Sequence, residues 1–154
     1  FDVFHHLEAP NAFLREARRV LHRTGRVIVF DPFISLTSWP VYGLLHHEPI
    51  GWSLPINFDD NFPRPRAYYA AQGNATRMFF RRRDWPSGWS IFHRESMAGF
   101  AYLLSGGFSK PAMYPRICHS MFAVMDRLLS AAPTLFGARC LVGMRPDVTP
   151  GDVA

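Results

Sequence analysis

Apolar and polar positions follow two different rhythms along this chain. Between residues 10 and 21, Phe13, Leu14, Ala17, Val20 and Leu21 recur at spacings of three and four, with Arg15, Glu16, Arg18 and Arg19 on the other side. That period predicts an amphipathic helix. Pro10 suits its first position, where a missing N–H costs nothing. Thr24-Gly25 is expected to close the helix through a left-handed residue. Val27-Ile28-Val29-Phe30 is an unbroken apolar run, expected as a strand covered on both faces in a parallel sheet, and Asp31-Pro32 ends it. Asp2-Val3-Phe4 reads as the tail of a neighbouring parallel strand. His5, His6 and Asp31 would then share one carboxyl edge, where open α/β sheets take their ligands.

The later pattern is less regular. Residues 35–47 begin as a loop and become a short helix, with Pro40 in its first turn and Val41, Leu44 and Leu45 on its apolar side. His46-His47-Glu48-Pro49 follows, the densest polar cluster in the chain. Adjacent histidines on a helix point about 100° apart. No metal is therefore expected there, and a hydrogen-bonded helix end competes with an acid/base role. Residues 49–66 are rich in proline and turn formers and predict an ordered loop or lid, pinned by Trp52 and Phe58. Residues 65–80 can form a helix that Gly73 weakens, with Tyr68 and Tyr69 expected to pack rather than stack on a substrate.

Trp89-Ser90-Ile91-Phe92 is expected to run extended, and residues 97–104 to form a helix closed by Ser105-Gly106-Gly107. Residues 109–116 suggest an edge strand, because Pro111 and Pro115 are tolerable only at an edge. Ile117, Met121, Phe122, Met125, Leu128 and Leu129 mark a second amphipathic helix that ends before Pro133. Cys140-Leu141-Val142-Gly143-Met144 reads as the final strand, and residues 147–154 as a loose tail.

Composition narrows the function class. With 154 residues and 48% apolar content, the chain can build one cored domain. The net charge of +5 rests almost wholly on arginine, since Lys110 is the one lysine. The arginines are spread along the chain, which argues against nucleic acid as partner. Arg81-Arg82-Arg83 beside Phe79, Phe80 and Trp85 is the one basic-aromatic patch, and a solvated helix end accounts for it. Cys118 and Cys140 have no metal-type spacing and make no disulfide framework, which fits a reducing cytoplasm. No apolar run reaches membrane-spanning length, so no membrane association is expected.

Phe-Asp-Val-Phe-His-His-Leu, the link to Pro10, Phe-Leu-Arg-Glu-Ala-Arg-Arg-Val-Leu, Gly-Arg and Val-Ile-Val-Phe together resemble the second half of class I S-adenosylmethionine-dependent methyltransferases, closest to the type 11 group. The resemblance is specific over residues 1–33, and Gly106-Gly107-Phe108 adds a modest second point. It implies an α/β fold: a partial Rossmann-like methyltransferase sheet, strands 4 to 7 with flanking helices, incomplete at its amino-terminal side. On that reading residues 1–146 are the carboxyl-terminal half of the domain, with a lid or substrate insertion at about 34–96. The helix at 117–129 departs from the hairpin that family members usually carry there.

The implied activity is methyl transfer from S-adenosylmethionine to a small-molecule acceptor. The resemblance places Phe4, His5 and His6 beside the cofactor. By position, His47, Glu48 and Asp31 are the candidates for base or acceptor anchor. No Gly-x-Gly-x-x-Gly turn occurs in the sequence, so the 154 residues alone are expected to be inactive as a fragment. The competing expectation is a non-catalytic binding or scaffold domain that uses the basic-aromatic patch as its partner surface.

Overall fold

A computed structural model describes residues 1–56, 68–105 and 111–147. It is a mixed helix-and-strand structure built on a three-stranded sheet. Helix α1 (Pro10–Val20) carries proline at its start and buries Leu14, with Arg15, Glu16 and most of its polar residues outside. It ends earlier than expected. Leu21 turns extended at φ −69° and ψ 138°, and Gly25 closes a separate tight turn onto the His22 carbonyl. The stop therefore comes from Leu21 leaving helical geometry and not from a left-handed glycine.

Strands β1 (Val27–Pro32), β2 (Trp89–Ala98) and β3 (Gly137–Pro146) form the sheet in the order β1-β3-β2. Both pairings are antiparallel. The apolar runs at residues 27–30 and 140–144 are neighbours, with Val27 opposite Met144 and Asp31 opposite Cys140. A parallel, doubly covered β1 is not what forms. Val29 and Asp31 face inward, while Ile28 is 55% exposed on the other side. The described residues thus show a small antiparallel sheet in place of the Rossmann-like methyltransferase sheet. β2 runs well past Phe92 and bulges there; Phe92 lies over Gly143, where an added Cβ would meet its ring at 2.5 Å. The helix expected from Met97 starts only after β2 ends, as α3 (Phe100–Leu104).

The expected strand at residues 2–4 is instead a single 3-10 turn, Phe4–His6. One ladder-like bond survives, from the Asp2 N–H to the Phe30 carbonyl at 2.9 Å. The next donor, the Phe4 N–H, goes to the Asp31 carboxylate at 3.2 Å, and that side-chain acceptor turns the chain away from the sheet. Residues 109–110 lie outside the described residues, and 111–115 form no strand, since two prolines remove ladder donors. A 3-10 turn, Arg116–Cys118, leads into α4 (His119–Leu129), and a short α5 (Pro133–Phe136) precedes β3.

Ser38–Pro40 forms α2 and continues as a π-helical turn, Val41–Leu45. A second π-helical segment, Thr76–Arg82, replaces the end of the helix expected at 65–80; residues 57–67 of that stretch and of the expected lid lie outside the described residues. The main core gathers Phe4, Leu14, Val29, Met78, Phe79, Trp89, Val142 and Met144. Phe79 is fully buried and Arg81 stacks over Trp52 at 4.5 Å, so the basic-aromatic stretch turns its central ring into the core. Among the described residues no helix is long and apolar enough to cross a membrane.

Candidate functional site

Three stretches of backbone are tied together beside the end of β1. The Ala71 N–H donates to the His5 carbonyl at 2.9 Å, the Gln72 N–H to Pro49 at 3.1 Å and the Gly73 N–H to Ile50 at 2.8 Å. These bonds hold the 3-10 turn, the segment after the π-helical turn and the stretch that leads into the second π segment in one register. The side chains they carry converge: His5, His6, Glu48, Tyr68 and Gln72 around the inward end of Asp31.

Asp31 is completely buried because the strand alternation points it, like Val29, into the core. Its carboxylate accepts the Phe4 N–H and faces His5 Nδ1 at 3.1 Å from each oxygen. The other His5 nitrogen, Nε2, lies 3.4 Å from Glu48 Oε2. His5 is thus a buried ring between two carboxylates. Burial pulls its pKa down, but the hydrogen bond and charge of Asp31, with Glu48 and Asp2, outweigh that and leave it raised above 6.5.

Glu48 is the hub. Tyr68 donates its hydroxyl to Oε1 at 2.6 Å, and Gln72 donates its amide N–H to Oε2 at 2.5 Å. His6 Nε2 stands 3.5 Å from Oε1, and His46 Nδ1 3.8 Å from Oε2. Burial raises its pKa, yet the Tyr68 hydrogen bond and the charges of His5, His6 and His46 win, so the carboxyl is held below the ordinary value. Tyr68 is pushed the other way by the same bond. Gln72 also donates to His46 Nδ1 at 3.2 Å, while its own Oε1 is buried without a hydrogen-bond partner among the described residues.

The sequence-chosen residues divide clearly. Asp31, His5, His6 and Glu48 meet in one cluster. Phe4 supplies its N–H to Asp31 and packs its ring on Phe79, with centroids 5.2 Å apart. His47 stays outside: its side chain is 82% exposed, stacks on His46, and reaches Glu48 only at 3.8 Å. Gln72 was not singled out, and Tyr68, expected to pack, is largely exposed. Their stretch carries no periodic polar signal, and only proximity to Glu48 gives them a role.

Beside the cluster lies a cleft of about 460 Å³ lined by Pro49, Gly51, Trp52, Leu54, Tyr68 and Tyr69. That is within the range of small-molecule sites. Tyr68 belongs to both, lining the cleft and bonding to Glu48. Compared with protein-family models, curated proteins and solved structures, the chain matches none.

Proposed function

We propose that this chain supplies the acceptor side of an S-adenosylmethionine-dependent methyltransferase acting on a small molecule. The observation that carries the reading is the buried line Asp31–His5–Glu48 ending beside a cleft of small-molecule size. The resemblance of residues 1–33 to such enzymes supports it from the sequence. When bound, S-adenosylmethionine supplies a methyl group made electrophilic by its sulfonium.

An acceptor hydroxyl or amine in the cleft must lose a proton as it is methylated. On this reading Glu48 takes that proton through Tyr68, which lines the cleft and donates to its Oε1. His5, backed by Asp31, offers the carboxylate a counter-charge and a second stop for the proton. The residues assigned to the cofactor fit it less evenly. Phe4 and His5 are 5% and 4% exposed and face protein neighbours, whereas His6 keeps about a third of its side chain open.

The test is methyl transfer by protein expressed from the whole reading frame that encodes this chain. Glu48→Gln is expected to lower turnover by about 100- to 10,000-fold while leaving S-adenosylmethionine affinity nearly unchanged. Failure of the wild-type protein to bind S-adenosylmethionine would end the reading.

A further inference from the structure

The tautomers of His5 and His6 are fixed by what faces their Nδ1 atoms. His6 Nδ1 lies 3.1 Å from the Tyr69 carbonyl oxygen, which can only accept. His6 therefore carries its proton on Nδ1. His5 Nδ1 lies 3.1 Å from both oxygens of Asp31, with the same consequence. In their neutral forms both rings turn an Nε2 lone pair toward Glu48, at 3.4 Å and 3.5 Å. Two imidazole lone pairs then face a carboxylate whose oxygens also take one hydrogen bond each, from Tyr68 and Gln72. Such an arrangement calls for a cation at its centre.

We propose that His5 Nε2, His6 Nε2 and the Glu48 carboxylate form a site for a divalent transition-metal ion. Ligands that bind zinc at about 2.0–2.1 Å in tetrahedral geometry stand about 3.3 Å from one another. The two nitrogen–oxygen separations, 3.4 Å from His5 to Oε2 and 3.5 Å from His6 to Oε1, are close to that value, and one ligand atom from each of the three residues lies within 4.8 Å of the others. Small side-chain rotations close the longest edge. The outer contacts are those that ligating histidines require: a carboxylate behind one ring and a backbone carbonyl behind the other, each holding Nδ1–H. Tyr68 and Gln72 likewise fix the two oxygens of Glu48.

Two imidazoles and one carboxylate favour zinc, ferrous iron, cobalt or nickel over magnesium or calcium. Three protein ligands leave at least one position for water or a ligand oxygen, as in catalytic and not structural sites. His6, the most open of the three, marks the side from which an ion enters. The site does not depend on the methyl-transfer reading. With an ion on His5 Nε2, acidification of a metal-bound oxygen would replace proton capture at the same place.

The experiment uses this chain, stripped with a chelator and titrated with Zn²⁺ by calorimetry and with Co²⁺ by visible absorption, no S-adenosylmethionine present. One ion per chain with micromolar or tighter affinity is expected. His6→Ala and Glu48→Gln should each weaken it by at least 100-fold, and Asp31→Asn by about 10- to 100-fold as an outer contact. His22→Ala, on an exposed turn, should bind as wild type does. Absence of binding, or equal binding by the ligand variants, overturns the site. Should those variants misfold, ¹⁵N-imidazole NMR of the wild type decides. A Zn²⁺-induced shift at Nε2 of His5 and His6 supports the site, and one confined to other histidines such as His46 or His47 refutes it.

Discussion

Asp31→Asn is the sharpest probe of the buried pair. The substitution keeps size and shape but turns one acceptor oxygen into a donor NH₂. In the wild type the carboxylate takes the Phe4 N–H at 3.2 Å and the His5 Nδ1–H at 3.1 Å. Asparagine can satisfy the first with its carbonyl, which leaves its NH₂ facing another N–H. The strain is relieved if His5 moves its proton to Nε2, so that Nδ1 accepts. Two charge-assisted bonds then become neutral ones. Hydrogen bonds to charged groups contribute about 1.5–3 kcal/mol and neutral ones about 0.5–1.5 kcal/mol. The expected loss is about 2 kcal/mol, which for a domain of this size lowers the thermal midpoint by about 4–8 °C. Circular dichroism in chelator-treated buffer measures the midpoint, and ¹⁵N-imidazole NMR reports the tautomer. A midpoint within about 1 °C of wild type, with the proton still on Nδ1, would show that Asp31 does not hold His5.

Further outcomes follow from other parts of the molecule. Phe79 is fully buried against Phe4, so Phe79→Ala should cost about 3–5 kcal/mol; a midpoint change under about 2 °C by calorimetry would contradict its place in the core. Burial pushes the Tyr42 hydroxyl, which donates to the Ala138 carbonyl, up to about 12 from 10.0, with Arg139 opposing. The folded state holds that proton more tightly, so its stabilising effect is complete below pH 10 and is lost as the pH rises through 12. Denaturant titrations of Tyr42→Phe should therefore fall less steeply across that window than those of wild type, and parallel slopes would refute the burial. Because no Gly-x-Gly-x-x-Gly turn is present, calorimetry of these 154 residues should give no micromolar binding of S-adenosylmethionine.

What the sequence made legible was local. The helices α1 and α4 and the apolar runs of β1 and β3 lie close to where the pattern put them, because each depends on spacing alone; the apolar stripes themselves do not all pack, since Phe13, Val20, Met121 and Leu128 are exposed and no residue of α4 is buried. Pairing direction was not legible. Val27 to Phe30 reads as doubly buried, yet Ile28 faces out and Phe30 is covered by Phe1 and Arg139, contacts that arrive from distant segments. β2 was only half visible, because His93, Arg94 and Glu95 break the apolar signal on an edge strand where charge is tolerated. At the site, His5, His6 and Asp31 were expected together for a reason that failed, since no second strand carries the histidines. The side chain of Asp31 instead caps the Phe4 turn and holds His5, while the Tyr69 carbonyl holds His6. Glu48 was chosen as part of a histidine run, but its hydrogen-bond donors are a tyrosine and a glutamine 20 and 24 residues further on.

The order β1-β3-β2 also dictates when the sheet can exist. The strand between the other two is the last one made. Roughly 100 residues separate the end of β1 from the start of β3, and at ~5–20 residues per second a ribosome takes about 5–20 s to deliver them. Until β3 is made, neither β1 nor β2 has a strand partner among the described residues, since the two do not pair with each other. Their open edges are templates for other chains. A nascent chain halted before Gly137 would present two such edges at once, so the solubility of the newborn protein hangs on the arrival of β3.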